Sequence, residues 1–380
     1  MRLNAKAGTL ADALALAHVL VEKSDKMTKA IVALGAVHIN ATNDTISFSA
    51  DTLDLAVVVR IDRGAADEIE VIEPGEAAVS LSAMADLIEG FMADASVTIN
   101  TTEKSLSIAA DRGHFRLPIV PLTDLPATLV INEEIGRLEL PAADFLGLLK
   151  PVEVATVEAP VYYMAGVLLH NVGDDLVSVA SDGRRLMRVA VPAAAFSATR
   201  DLIVPYETVH VVSKLLKATK PDTVILRRSK TLLAIETEQF TFHTKLIDAD
   251  YPAYEKVIPA ASNNIVTVDR AALIAALARI DAVATKSKTA TLAALEWGTN
   301  QLAVFLPAQP DDAFDLIAAE TFGRACFAFP LGQVAELLEQ LPGTQIRIEV
   351  DGPAPISIRV VGNEQILALQ TQCAWNFHRS

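Results

Sequence analysis

Cysteine is almost absent from this 380-residue chain, with Cys326 and Cys373 the only two. Two isolated cysteines make no zinc or CxxC spacing, which excludes a disulfide-stapled scaffold and a cysteine metal or redox centre. Whether the two pair with each other stays open. Aromatic residues are scarce at 5%, so a core has to be built from Ala, Val, Ile and Leu. No apolar run approaches the roughly 18 residues of a membrane span. The N-terminal MRLNAKAGTLADALALAHVL is broken by Lys6 and Asp12 and has no small-residue cleavage pattern, so it reads as an amphipathic helix and not as a leader. Cytoplasm is the compartment this implies.

Positive charge is also in deficit. Lys and Arg number 32 against 47 Asp and Glu, a formal net charge of -15. That argues against wrapping nucleic acid with the whole surface, because non-specific affinity comes from cations neutralising phosphates. Motifs of chemistry are missing too: there is no GxxxxGK[ST], GxGxxG after a strand, HExxH or GxSxG. His18, His38, His114, His170, His210, His243 and His378 are scattered, the spacing of structural or surface histidines. Asp248 with Asp250 and Asp174 with Asp175 are carboxylate pairs of the kind metal-dependent nucleases use, but neither has further ligands at useful spacing. Asp174-Asp175 follows Asn-Val-Gly and reads as a hairpin turn.

What the chain does have is 51% hydrophobic and 21% charged residues with 17 Gly and 18 Pro, a globular composition for two or three domains. Three stretches share one plan of helix, alternating strands, helix, strands, recurring at about 125 residues. The first has helical periodicity over 9–22, strands near 36–41, 45–50 and 53–61, a helix over 81–91, and strands near 96–100, 105–109 and 114–118. The second has LPAADFLGLLKPVEVA from 140, strands near 165–170 and 176–180, a helix over 204–220, then TVILRRS, TLLAIETE and FTFHTKLI. The third opens with VDRAALIAALARIDAVAT from 268, continues through ALEWGT and LAVFLP, and has PLGQVAELLEQL before QIRIEVD, PISIRVV and ILALQTQ. This predicts an α+β protein of three repeated domains, 1–125, 126–260 and 261–380, each with two helices on antiparallel sheets. The alternative is three unrelated α+β domains.

The cations are unevenly placed. Basic and acidic residues number 10 and 18 in the first stretch, 14 and 17 in the second, and 8 and 12 in the third. Lys23, Lys26 and Lys29 follow the first helix. Lys214, Lys217 and Lys220 recur every third residue on another helix, and Arg270, Arg279, Lys286 and Lys288 surround a third. Either a helical surface faces a polyanion on an acidic body, or lysines simply decorate helix ends.

Two stretches are dense in unusual residues. SDGRRLMRV (181–189) pairs an Asp-Gly turn with two arginines leading into a strand, and TKLIDADYPAYEKVIP (244–259) is a loop with Tyr251, Pro252, Tyr254 and Val257. At these and at PVYYMAGVLLH (160–170), LVSVASDGRRLMRVAVP (176–192), LIVPYETVHVVSKLL (202–216) and FTFHTKLIDADYPAYEKVIP (240–259), the chain resembles the bacterial DNA polymerase III beta subunits, the DNA sliding clamps. The likeness covers the whole chain, with the first and third stretches the weaker part.

The resemblance implies a DNA clamp fold: a head-to-tail homodimer making a six-domain ring around duplex DNA, without base readout, catalysis, metal or cofactor. It implies as partners double-stranded DNA, the DNA polymerase III alpha subunit, a clamp loader, and other polymerases and mismatch-repair proteins that dock by short peptides. The peptide groove maps to Met164, Ser181, Gly183, Arg185, Leu186, Pro252 and Val257, with Arg184 and Lys256 at its rim and Arg185 or Lys256 as the polar edge. DNA-facing positions map to Lys26, Tyr162 and Tyr163, with Lys214 and Lys217 added from the helix. The subunit joint maps to Phe115 and Leu117 against Ala282 and Val283, smaller than the usual pair. The chain departs from the family at its end, ALQTQCAWNFHRS, where Trp375 and Phe377 replace a short Met-Pro-Met-Arg-like tail. Glu158 and Val161 stand where polar or basic residues are usual, and the neutral SLSAM run replaces basic ones. These departures raise a second reading, a clamp-fold paralog that scaffolds or sequesters clamp-binding partners without encircling DNA.

Overall fold

A computed structural model describes residues 1–22, 31–62, 69–151, 162–193, 196, 201–284, 291–298, 300–308, 310 and 313–374. Lys23, Lys26, Lys29, Glu158, Val161, Lys286, Lys288, Trp375 and Phe377 lie outside the described residues, as does the side chain of Tyr162.

The first stretch contains β1 (Arg2–Lys6), α1 (Ala7–Glu22), β2 (Ala36–Ala41), β3 (Thr45–Asp51), β4 (Leu55–Asp62) and β5 (Ile69–Glu73). It continues with β6 (Gly75–Ser80), α2 (Leu81–Glu89), β7 (Ser96–Thr101), β8 (Ser105–Ala110) and β9 (Gly113–Pro118). The second has β10 (Gly136–Pro141), α3 (Ala142–Leu149), β11 (Gly166–Val172), β12 (Asp175–Ser181) and β13 (Arg185–Pro192). After these come β14 (Leu202–Pro205), α4 (Tyr206–Thr219), β15 (Thr223–Arg228), β16 (Leu232–Glu236) and β17 (Phe240–Lys245). The third has β18 (Ile265–Asp269), α5 (Arg270–Val283), β19 (Leu292–Trp297), β20 (Gln301–Phe305) and β21 (Phe314–Phe322). It ends with β22 (Ala325–Pro330), α6 (Leu331–Gln340), β23 (Gln345–Glu349), β24 (Ile356–Val360) and β25 (Asn363–Gln370).

The helix–strand plan is therefore present three times, and the structure adds a rule the periodicity did not show. Each of the six α-helices among the described residues follows a strand with no intervening loop, as in β6 to α2 and β18 to α5. Capping side chains sit at two of these junctions: Ser80 accepts from the Ala83 N–H at 3.4 Å and Asp269 from the Ala272 N–H at 2.8 Å. At the far end of α4, Lys220 turns to φ 47° ahead of Pro221, which cannot continue a helix. The strands before the helices were missed because they are short and offer few alternations to read.

Burial follows the two periods. In α1 the buried positions are Ala7, Leu10, Ala13, Leu14, Ala17 and Leu20, one face of a 3.6-residue turn, and this face meets β3, β4 and α2. In β3 the buried residues Ile46, Phe48 and Ala50 alternate with half-buried Thr45, Ser47, Ser49 and Asp51. Phe48, Phe240, Phe242, Phe305 and Phe329, each fully buried, are the bulk around which the small aliphatics pack.

The chain divides into two compact units, Met1–Leu146 with Glu207–Leu246, and Gly147–Tyr206 with Ile247–Ser380. The first holds a five-stranded sheet in the order β5-β1-β7-β8-β9 and an eight-stranded one, β10-β15-β16-β17-β4-β3-β2-β6. The second holds a twelve-stranded sheet, β14-β11-β12-β13-β25-β24-β23-β18-β21-β20-β19-β22. The strand neighbours β17–β4 and β13–β25 thus join one stretch of the repeat to the next by antiparallel pairing. Neither cysteine forms a disulfide. No helix among the described residues is long and apolar enough to cross a membrane.

Candidate functional site

The Asp182–Gly183 turn between β12 and β13 is built by its own side chains. Asp182 Oδ1 accepts the N–H groups of Arg184 at 2.9 Å and Arg185 at 2.8 Å. Ser181 Oγ accepts from the Gly183 N–H at 3.1 Å and donates to the Arg185 carbonyl at 2.9 Å. Gly183 takes φ +81°, a conformation that strains any residue with a Cβ. Beyond the turn, Leu186 points into the core and stands opposite Leu369 of β25.

Beside this turn the loop 247–258 folds back. Its Ile247 N–H donates to the Ile203 carbonyl at 3.0 Å, and Tyr254–Val257 forms a 3-10 turn. Tyr254 is buried; its hydroxyl lies 2.9 Å from His170 Nε2 and the rings meet edge to face at 5.6 Å. Burial lowers the His170 pKa below its ordinary value and raises that of Tyr254, so both stay neutral near pH 7. Burial likewise pushes up the Tyr251 phenol.

The turn, the loop and the end of β25 enclose a cavity of about 230 Å³. Met164, Ser181, Gly183, Arg184, Arg185, Leu186, Pro252 and Val257 all line it. Lys256 is exposed but lies outside the lining. Tyr251 and Tyr254, singled out in the loop but not mapped to the groove, complete the wall with Ala253, Pro355, Leu369 and Thr371, which were not picked from the sequence. The two tyrosines had a signal in the aromatic loop; Leu369 and Thr371 had none, since only the β13–β25 pairing brings them there. Beneath the cavity Leu168, Val177, Val179, Leu186, Ile203 and Tyr254 belong to one apolar cluster, against which Tyr163 also packs. A mostly apolar concavity with few polar groups, its backbone fixed by turns, suits a short hydrophobic peptide.

Arg185 is spoken for within the protein. Its Nε donates to Asp182 Oδ2 at 3.0 Å, and a terminal nitrogen donates to Glu336 Oε2 of α6 at 2.5 Å and the Gln333 carbonyl at 3.4 Å. The side chain is only 13% exposed. On the other side, the Arg184 carbonyl accepts from the Thr371 N–H at 2.8 Å, while the Gln370 amide donates to Gln333 Oε1 at 3.1 Å. The turn, α6 and the end of β25 are therefore one hydrogen-bonded frame.

The remaining candidate positions are dispersed. Lys214 and Lys217 are exposed on α4. Phe115, 40% exposed, and half-buried Leu117 lie on one face of β9, where Phe115 meets Phe91 edge to face. Ala282 and Val283 are exposed at the end of α5, Val283 by 61%. The strand β9 pairs only with β8, and Phe314–Ala318 of β21 pairs only with β20, so each presents an open edge among the described strands. No group of three or more His, Cys, Asp or Glu among the described residues could hold a metal ion.

Repeated strand-to-helix junctions on antiparallel sheets, with a peptide-sized apolar cavity, define a DNA-clamp fold. Solved sliding clamps match it: that of Bartonella birtlesii bound to griselimycin at TM-score 0.88 and 24% identity, over 98% of this chain and 99% of that one. The Pseudomonas aeruginosa beta subunit matches at 0.87 and 22%, over 98% and 100%. In sequence, the beta sliding clamp of Pseudomonas aeruginosa is 31% identical over 214 residues, 55% of this chain and 57% of that protein's length. The Caulobacter vibrioides clamp is 27% identical over 312 residues, 80% and 81%. The family profiles for the N-terminal and central domains of the DNA polymerase III beta subunit match residues 1–129 and 139–253, together well over half the chain. The chain belongs to the DNA polymerase III beta subunit family, whose members are non-catalytic.

Proposed function

We propose that this protein is a DNA sliding clamp that closes as a homodimer around duplex DNA and tethers a replicative polymerase through the groove at the Asp182–Gly183 turn. The observation that carries the reading is that groove: eight of the nine residues mapped to it from the family line one cavity. Tethering raises the local concentration of a partner at the primer end without chemistry by the clamp. The finer partners are the polymerase III alpha subunit, a clamp loader, and other polymerases and mismatch-repair proteins that share the groove.

The three domains are 1–125, 126–260 and 261–380. In the dimer, the open edge of β9 in one subunit adds to the open edge of β21 in the other, an antiparallel extension of a sheet between copies. Phe115 and Leu117 then face Ala282 and Val283 of the other copy. Two small side chains against a phenyl and a leucyl leave this contact thinly packed, favouring a joint that opens easily.

Charge on the described helices is sparse, while Lys26, mapped to the DNA-facing surface, lies outside the described residues. Among the described helices α1, α2, α3 and α6 contain no Lys or Arg. Arg270 of α5 donates to the Gly343 and Leu338 carbonyls at 2.9 and 3.1 Å, and Arg279 pairs with Asp315 at 2.5 Å. Lys214 and Lys217 are exposed on α4, where they can meet phosphate. Topology then holds the DNA, and contacts from these lysines to phosphate add a salt-dependent contribution. Retention on closed circular DNA with a cognate loader, lost when the circle is cut, is the expected result. A dimer never retained by that loader would instead support a paralog that binds clamp partners without encircling DNA.

A further inference from the structure

Past β25 the chain leaves the groove and reaches a sheet edge within two residues. The Thr371 N–H donates to the Arg184 carbonyl at 2.8 Å, and the Cys373 N–H donates to the Ala328 carbonyl of β22 at 2.8 Å. Cys373 and Ala328 form an antiparallel bridge, and β22 is an end strand of the twelve-stranded sheet. Hydrogen-bonding positions of an antiparallel ladder recur every second residue, so the next one on this edge of β22 is Cys326. Beyond it the ladder stops, because the Arg324 N–H already donates to Asn264 Oδ1 at 3.2 Å. Cys373 packs on a cluster of Ala294, Phe305 and Ala328. Two residues along each strand, on the same face, Cys326, Glu296, Ala303 and Leu316 stand opposite one another in a row across β22, β19, β20 and β21. This row floors an open cavity of about 590 Å³ that Arg324 also lines. Cys326 is exposed, and Leu316 is 52% exposed.

We infer that this cavity is the seat of the chain's own segment 374–380, Ala-Trp-Asn-Phe-His-Arg-Ser, which runs antiparallel along the open edge of β22 with Trp375 opposite Cys326 and its indole over the row. The Cys373–Ala328 bridge fixes both the direction and the register. Trp375 is two residues past Cys373 and therefore shares its face of the sheet. An indole laid there buries the apolar surface of Ala303 and Leu316, and the Arg324 guanidinium is placed to lie against the ring. Charge agrees with this occupant: the segment carries His378 and Arg379 and no acidic side chain, Glu296 belongs to the row, and the chain as a whole has a net charge of -15. Backbone pairing at Cys326 also closes a sheet edge that otherwise invites another strand. A segment seated there leaves the mouth of the groove to ligands. The aromatic residues that replace the family's usual tail then serve the sheet edge and not the groove.

The test uses the full chain carrying Trp297→Phe, which leaves Trp375 as its one tryptophan. Its emission is expected at shorter wavelength than that of the free peptide Ala-Trp-Asn-Phe-His-Arg-Ser, and acrylamide should quench it about threefold less. In the unsubstituted chain, hydrogen exchange read by mass spectrometry should be about tenfold slower at Cys326 than in a chain stopped after Ala374. Ala303→Glu puts a charge in the middle of the row; it should return quenching to the level of the free peptide while circular dichroism stays unchanged. Quenching as strong as that of the free peptide, or shielding that survives Ala303→Glu, overturns the inference. If Val257→Glu removes the shielding instead, the segment lies in the groove and the inference fails. Shielding that grows with protein concentration puts the segment on a second copy and overturns it as well.

Discussion

Replacing Asp51 by Asn should stabilise this protein at neutral pH and leave it unchanged in acid. Asp51 closes β3 opposite Ala56 of β4, and His243 of β17 stands opposite Ala56 from the other side. Two polar groups therefore flank one alanine on the same sheet face. Asp51 Oδ1 and His243 Nδ1 are both buried without a hydrogen-bond partner. Burial raises the Asp51 carboxyl from 3.8 to about 6 and lowers the His243 pKa, so neither group readily holds charge. At about 1.4 kcal/mol per pH unit the carboxyl shift amounts to ~3 kcal/mol, and residual solvent access trims it to roughly 1–2 kcal/mol. Because the folded pKa is the higher one, the folded state binds the proton more tightly. Stability from this group is complete below pH 3.8 and is lost as pH rises to about 6. Asn cannot ionise, so Asp51→Asn escapes that loss. Thermal unfolding followed by circular dichroism from pH 4 to pH 8 should show the two proteins converging in acid and separating above pH 6, by about 2–4 °C per kcal/mol. A difference that does not change with pH, or a variant less stable at pH 8 than at pH 4 relative to wild type, refutes the reasoning.

Other perturbations have equally definite outcomes. Leu369→Ala opens a cavity beside Leu186 under the groove and should cost about 2–5 kcal/mol in denaturant unfolding. Arg185→Gln leaves the Glu336 and Asp182 carboxylates without their cation and should cost about 1–3 kcal/mol; a double-mutant cycle with Glu336→Gln should show coupling between the two. Phe115→Asp, at an exposed site, should shift light scattering from dimer to monomer while circular dichroism stays unchanged. Lys214→Glu combined with Lys217→Glu should shorten retention on circular DNA at low salt and have little effect at high salt, where phosphate contacts are already screened.

The legible part of this fold was what repeats locally. Helical spacing in α1 and α4 and strict alternation in β3 and β8 depend only on neighbours in the chain, so the three-fold plan could be read directly. The turn at Asp182–Gly183 was equally plain, since Asp and Gly encode it within four residues. Illegible were the strands leading into helices, such as β14, where four residues carry too little alternation. The fate of Arg185 was hidden as well: its partner Glu336 is 151 residues away in sequence, and a pairing at that distance leaves no local trace. The wall residues Leu369 and Thr371 were invisible for the same reason.

The pairing of β13 with β25 has a consequence for how the chain can be divided. Peptide connectivity between residues 258 and 264 is a single covalent thread through a partly exposed segment, whereas the surfaces on either side of it are stitched by a strand ladder from Arg185 to Val189 and by the Arg185–Glu336 bridge. A protease that nicks this thread should therefore leave a complex that migrates as one particle until denaturant is added. Two separately expressed fragments, ending and beginning there, should find each other by completing the same sheet, so the linker sets the order of synthesis more than it holds the finished molecule together.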